Sequence, residues 1–141
     1  MLEQIIDNKN ILAIIIRNNY SNNGINFFTP NDFSQQLAYM RHQKGYSIQP
    51  HFHNALKREI LNTQEVLIVK CGKIKVNFFN IEQKLINTCI LETGDIILLA
   101  SGGHGFEMLE NTELIEIKQG PYLGEKDKTR FSPKSENEEI I

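Results

Sequence analysis

Apolar runs of roughly four to seven residues alternate with turn residues along most of the chain, and no stretch holds a helical spacing for long. That rhythm calls for many short strands, because a half-buried strand needs only a few residues and a turn at each end. "NILAIIIRN" is rich in β-branched residues, "INFFT" is stopped by Pro30, and "QEVLIVKCG" is a strong strand. "KIKVNFFN" alternates cleanly, with Ile74, Val76 and Phe78 on one face, and "LINTCILETGD", "IILLASGG", "GFEMLEN" and "ELIEIKQG" continue the pattern. "PNDFSQQLAYMRHQKG" can begin with a helical turn capped by Asn31 or Asp32 and then run as a strand into the Lys44-Gly45 turn. "YSIQPHFH" reads as extended, while "NALKREILN" stays open between a helical turn, a loop and a strand entry. The expectation is a single all-β domain of roughly eight to eleven strands, which must become a sandwich, jelly roll or barrel to bury its alternating faces.

With 141 residues, the chain suits one domain, here residues 1–124 with N-terminal strands over 10–30 and a core over 37–120. Residues 125–141 are charged and poor in core side chains, and read as a surface strap or tail. A net charge of -2 offers no general attraction to nucleic acid or anionic lipid. No run approaches the roughly 20 apolar residues that span a bilayer, and "MLEQIIDNKN" lacks the basic-then-apolar order of a signal peptide. The expected partners therefore exclude nucleic acid and membrane, and the expected location is the cytoplasm. Cys71 and Cys89 form no CxxC pair and read as reduced, mostly buried thiols.

The chemistry-bearing residues are few. In "GYSIQPHFH", His51 and His53 share a face if the segment is a strand, since side chains alternate with a period of two. Glu65 opens the strand "EVLIVKCG", and "GDIILLASGGHGF" presents His104 after a glycine turn. Three imidazoles and one carboxylate form an N/O donor set that suits a divalent first-row metal. An HxH pair alone is also compatible with two surface histidines.

The first stretch, a glycine, five residues, HxH, then a glutamate with a glycine seven residues on, resembles the first cupin motif. "GDIILLASGGHGFEML" resembles the second. The resemblance covers about residues 37–120, with "NALKREILNTQ" as an inserted loop between His53 and Glu65, and Ala100 where proline is common. It implies a double-stranded β-helix, the cupin jelly-roll barrel. It also implies that His51, His53, Glu65 and His104 hold one divalent transition metal ion (Fe, Mn, Ni or Zn), with Gly45, Gly72, Gly94 and Gly102 at turns. The run from "NTQEVLIVKCGKIKVNFF" onward is similar to small single-domain cupins grouped with sugar-nucleotide or surface-polysaccharide biosynthesis.

Three function classes stay open: a metal-dependent isomerase-like or lyase-like enzyme on a small anionic or carbohydrate-like molecule, an iron-dependent dioxygenase, and a non-catalytic metal- or sugar-binding module. Whether the chain is an enzyme at all is undecided, and no catalytic residue can be named. Arg58, in the inserted loop, is the candidate clamp for an anionic group, because its planar fork matches phosphate or carboxylate. Arg41, Lys118 and Arg130 are weaker candidates of the same kind, His42 reads as a solvated loop residue, and Tyr39 and Tyr122 as packing residues. Phe78 and Phe79 must face opposite sides of a strand, and "ILAIII" offers apolar residues on both faces. Both features suggest a homodimer through the N-terminal strands.

Overall fold

The structure, a computed structural model, describes residues 1–133. Among them ten strands form: β1 (Leu2–Asp7), β2 (Asn10–Ile16), β3 (Gly24–Phe27), β4 (Ala38–Arg41), β5 (Glu65–Cys71), β6 (Lys73–Phe79), β7 (Leu85–Glu92), β8 (Ile96–Leu99), β9 (Gly103–Met108) and β10 (Glu113–Lys118). A short 3-10 turn over Gly124–Asp127 is the one helical element of the described residues. All strand pairs are antiparallel, so the all-β expectation holds.

One sheet has the order β1-β2-β8-β5-β10, a second β7-β6-β9, and β3 and β4 make a separate two-stranded ribbon. The two larger sheets face each other across one cluster. From the first sheet come Leu12, Ala13, Ile15, Leu67, Val69, Ile97 and Leu99, and from the second Ile74, Val76, Phe78 and Leu91. Apart from Leu12 beside Ala13, these residues follow the period of two that the sequence displays, and Ile74, Val76 and Phe78 are almost wholly buried, as their alternation requires. Burial of this apolar surface is the main force joining the sheets.

Strand β2 is buried on both faces. Ile14 pairs with Leu98, and both are fully buried yet lie outside the intersheet cluster, on the opposite face from Ala13 and Ile15. That burial is achieved within one chain. Phe79, on the outer face of β6, is covered by Phe131, whose ring meets it edge-on at 5.3 Å. Both faces of β2 and the ring of Phe79 are thus covered within one chain, while Ile6, Ile25 and Phe27 stay exposed.

Several local expectations change. Strand β1 precedes the first strand expected from the sequence; it folds back on β2 through Asn8, whose φ of 54° is a left-handed turn that asparagine tolerates. Residues 31–37 form turns and no helix. "YSIQPHFH" and "NALKREILN" carry no regular structure. Both cysteines are free, as expected, but Cys71 is exposed and only Cys89 is partly buried. Residues 134–141 of the expected strap lie outside the described residues.

A charged clamp fixes the corner between β2, β7 and β8. Asp95, nearly buried, accepts hydrogen bonds from the Asn18 and Glu92 amides at 2.8 and 2.9 Å and from the Arg17 guanidinium at 2.9 Å. Arg17 also donates to Glu3 and to the Ile90 carbonyl, and these partners hold its guanidinium protonated. The Gly-Asp pair of the second motif thereby anchors three chain segments. No helix is long and apolar enough to cross a membrane.

Candidate functional site

Glu65 begins β5, paired with Leu99 of β8 on one side and Lys118 of β10 on the other. His104 is the second residue of β9, opposite Phe78 of β6. Their side chains meet between the two sheets, with Nε2 of His104 2.7 Å from Oε1 of Glu65. Residues far apart in sequence are joined here because each sits on the inward side of its strand. The pair is only partly withdrawn from solvent, the His104 side chain remaining 30% exposed.

The hydrogen bond from His104 draws the Glu65 carboxyl down to about 2, against the opposing effect of burial and with help from a bond to Glu116 and the charges of His104 and Lys118. Glu116 responds in the opposite sense. Its carboxyl is raised above the usual range, first by the hydrogen bond to Glu65, then by burial and the Glu65 charge. The two carboxyls thus hold opposite preferences, Glu65 for the ionised form and Glu116 for the protonated one.

Glu116 beside Glu65 is marked by no motif, and Lys118, one of the weaker candidate clamps, also lies close enough to act on Glu65. The signal is present nonetheless: in "ELIEIK" a period of two places Leu114, Glu116 and Lys118 on one face, and Leu114 packs against the core. Glu116 and Lys118 interrupt the apolar pattern of that face at the end next to Glu65.

The site opens where both sheets end. β9 pairs only with β6, and β10 only with β5, so each leaves a free edge on this side of the sandwich. Phe106 and Met108 alternate with His104 onto the same face of β9 and are 38% and 50% exposed. The rings of His104 and Phe106 lie 5.3 Å apart.

The other two expected ligands lie elsewhere. His51 and His53 contact each other, ring centroids 5.3 Å apart, in an exposed segment, and His51 Nδ1 lies 2.9 Å from the Gln49 carbonyl oxygen. Among the described residues no three histidine, cysteine, aspartate or glutamate side chains converge as a metal group. The donor types fit a divalent cation, but within one chain the four expected donors stand as two separate pairs.

Arg58 lines a shallow recess with Asn31, Asp32, Phe33, Ser34, Gln36, Glu59 and Ile60, separate from Glu65 and His104. His42 is exposed and stacks on Tyr46 at 4.0 Å. Tyr39 packs edge-on against Tyr20, whereas Tyr122 is exposed, with the Lys118 ammonium 5.9 Å from its ring centre. Arg41 donates to Ser21, and Arg130 binds Glu125. Gly45, Gly72, Gly94 and Gly102 all have positive φ, which agrees with their expected turn positions. No family model matches the chain, and neither a curated protein nor a solved structure matches it.

Proposed function

We propose that this chain is a cupin-like jelly roll that binds a small anionic or carbohydrate-like molecule at the open end around Glu65 and His104. In this reading a divalent metal joins those two side chains to His51 and His53. The observation that supports it is the 2.7 Å contact between Glu65 and His104, two residues that the motif resemblance had already singled out. Lys118 supplies positive charge for an anionic group, and Phe106 supplies an apolar face for a sugar ring. Because the four donors do not converge within one chain, no reaction step is assigned to a metal.

A second reading rests on the same pair. His104, oriented by an ionised Glu65, is placed to exchange a proton with a bound molecule, and Glu116 is a carboxyl kept protonated to higher pH. Proton transfer of an isomerase or lyase type needs no more than such a set.

Metal and ligand binding by calorimetry, on protein purified without chelator or metal-affinity tag, separates the two. The metal reading expects stoichiometric uptake that weakens as pH falls, because imidazole and carboxylate donors bind a metal only when deprotonated. Saccharide or sugar phosphate binding that is equal with and without metal, and lost in His104→Ala, instead selects the proton-transfer reading. Absence of both kinds of binding contradicts the assignment of this end of the sandwich as a site.

A further inference from the structure

The segment between β4 and β5 is unfinished as a piece of a single chain. Residues 46–53 alternate, with Tyr46, Ile48 and Phe52 on one side and Ser47, Gln49, His51 and His53 on the other. Phe52 is 94% exposed, and Ile48 and Leu56 are more than half exposed. Among the described residues, none from 47 to 63 takes part in a backbone–backbone hydrogen bond. A segment with strand-patterned, exposed apolar side chains and no ladder partner is free to add to a sheet edge.

A matching vacancy exists at β9. Leu109 N donates to the Lys73 carbonyl, and by the alternation of an antiparallel ladder the amides of His104, Phe106 and Met108 point away from β6, toward the free edge. The free edge of β10 carries Glu113, Glu116 and Lys118, charges of the kind that blunt an edge, whereas β9 carries only Glu107. The charges also match. Glu65 and Glu116 stand at the open end with one ammonium, Lys118, while residues 46–58 contain His51, His53, Lys57 and Arg58 and no acid.

We propose that residues 46–56 of a second copy add as a strand to the free edge of β9, carrying the partner's His51 and the partner's His53 to Glu65 and His104. Eleven residues reach roughly 36 Å, more than the six residues of β9 require. Each copy has one arm and one free β9 edge, so reciprocal exchange about a two-fold axis closes at a dimer. The histidine contribution rests on the metal reading above; the strand exchange does not.

Light scattering on the full chain and on Ile48→Asp/Phe52→Asp tests the exchange. The wild type is expected at twice the 16.3 kDa chain mass, and the variant at the single-chain mass with an unchanged circular dichroism spectrum. A single-chain mass for the wild type at every concentration overturns the proposal, as does a variant that stays dimeric. Co-refolding His51→Ala/His53→Ala copies with Glu65→Gln/His104→Ala copies tests the shared site, with zinc as the probe. Each variant alone should bind none, and the mixture about a quarter of the wild-type amount per chain, since half of the dimers are mixed and each has one complete site. No zinc in the mixture, with zinc in the wild type, overturns sharing between subunits. A wild type that binds no zinc but is a dimer broken by the arm substitutions upholds the exchange and removes the metal reading alone.

Discussion

Glu65 and Glu116 share a hydrogen bond, so neither titrates as an isolated carboxyl. The depressed Glu65 contributes stability that is full above the ordinary carboxylate value near 4.5 and is lost as pH falls toward about 2. Glu116 is raised, and its share runs the other way: present below the ordinary value and lost as pH rises through the raised one. Glu65→Gln should therefore flatten the stability curve between pH 4.5 and 2 and cost on the order of 2 kcal/mol at pH 7. Glu116→Gln should be neutral or stabilising at pH 7, because it removes a second carboxylate from the pair. Denaturant unfolding across this range checks both, and an acid limb unchanged by Glu65→Gln contradicts the assigned hydrogen bond. His104 and Glu65 were legible as individual residues because motif spacing marks them. Glu116 was not, since its importance comes from a neighbouring strand and not from a motif.

At the scale of elements, the turns carry much of the specificity. Gly72 links β5 to β6 with φ of 101°, and a Cβ there would lie 2.4 Å from Thr112 Oγ1 and 2.6 Å from the Asn111 carbonyl oxygen. Gly72→Ala should cost about 2 kcal/mol or more, through both the left-handed backbone and the collision, as a lowered denaturation midpoint. Asp95→Ala removes the acceptor of three hydrogen bonds and leaves Arg17 with one carboxylate partner. Its expected cost is about 3–5 kcal/mol, and a loss below about 1 kcal/mol would mean that the corner is held by packing instead. The strands from β5 to β10 were readable because each shows an uninterrupted apolar period and a bounding turn. β1 was hidden because only Ile5 of its six residues is buried, so its alternation is faint. The segment around His51 carries the pattern of a strand, but a pattern cannot state which edge, or which copy, supplies the ladder.

Across the whole molecule, two facing sheets enclose a continuous apolar core and leave one side unclosed, where β9 and β10 end. The chain is all-β as expected; of the four expected donors Glu65 and His104 meet, whereas His51 and His53 stand on an exposed arm. Long-range pairing decides this difference, and sequence periodicity is blind to it. The proposal that the open end binds a divalent metal is tested by metal content per chain, from elemental analysis of wild type and His104→Ala, both purified without chelator or metal-affinity tag. Near-stoichiometric iron, manganese, nickel or zinc is expected in the wild type, and its loss in the variant. A wild type that neither retains nor takes up any of these metals, or a variant that keeps the full amount, would contradict it.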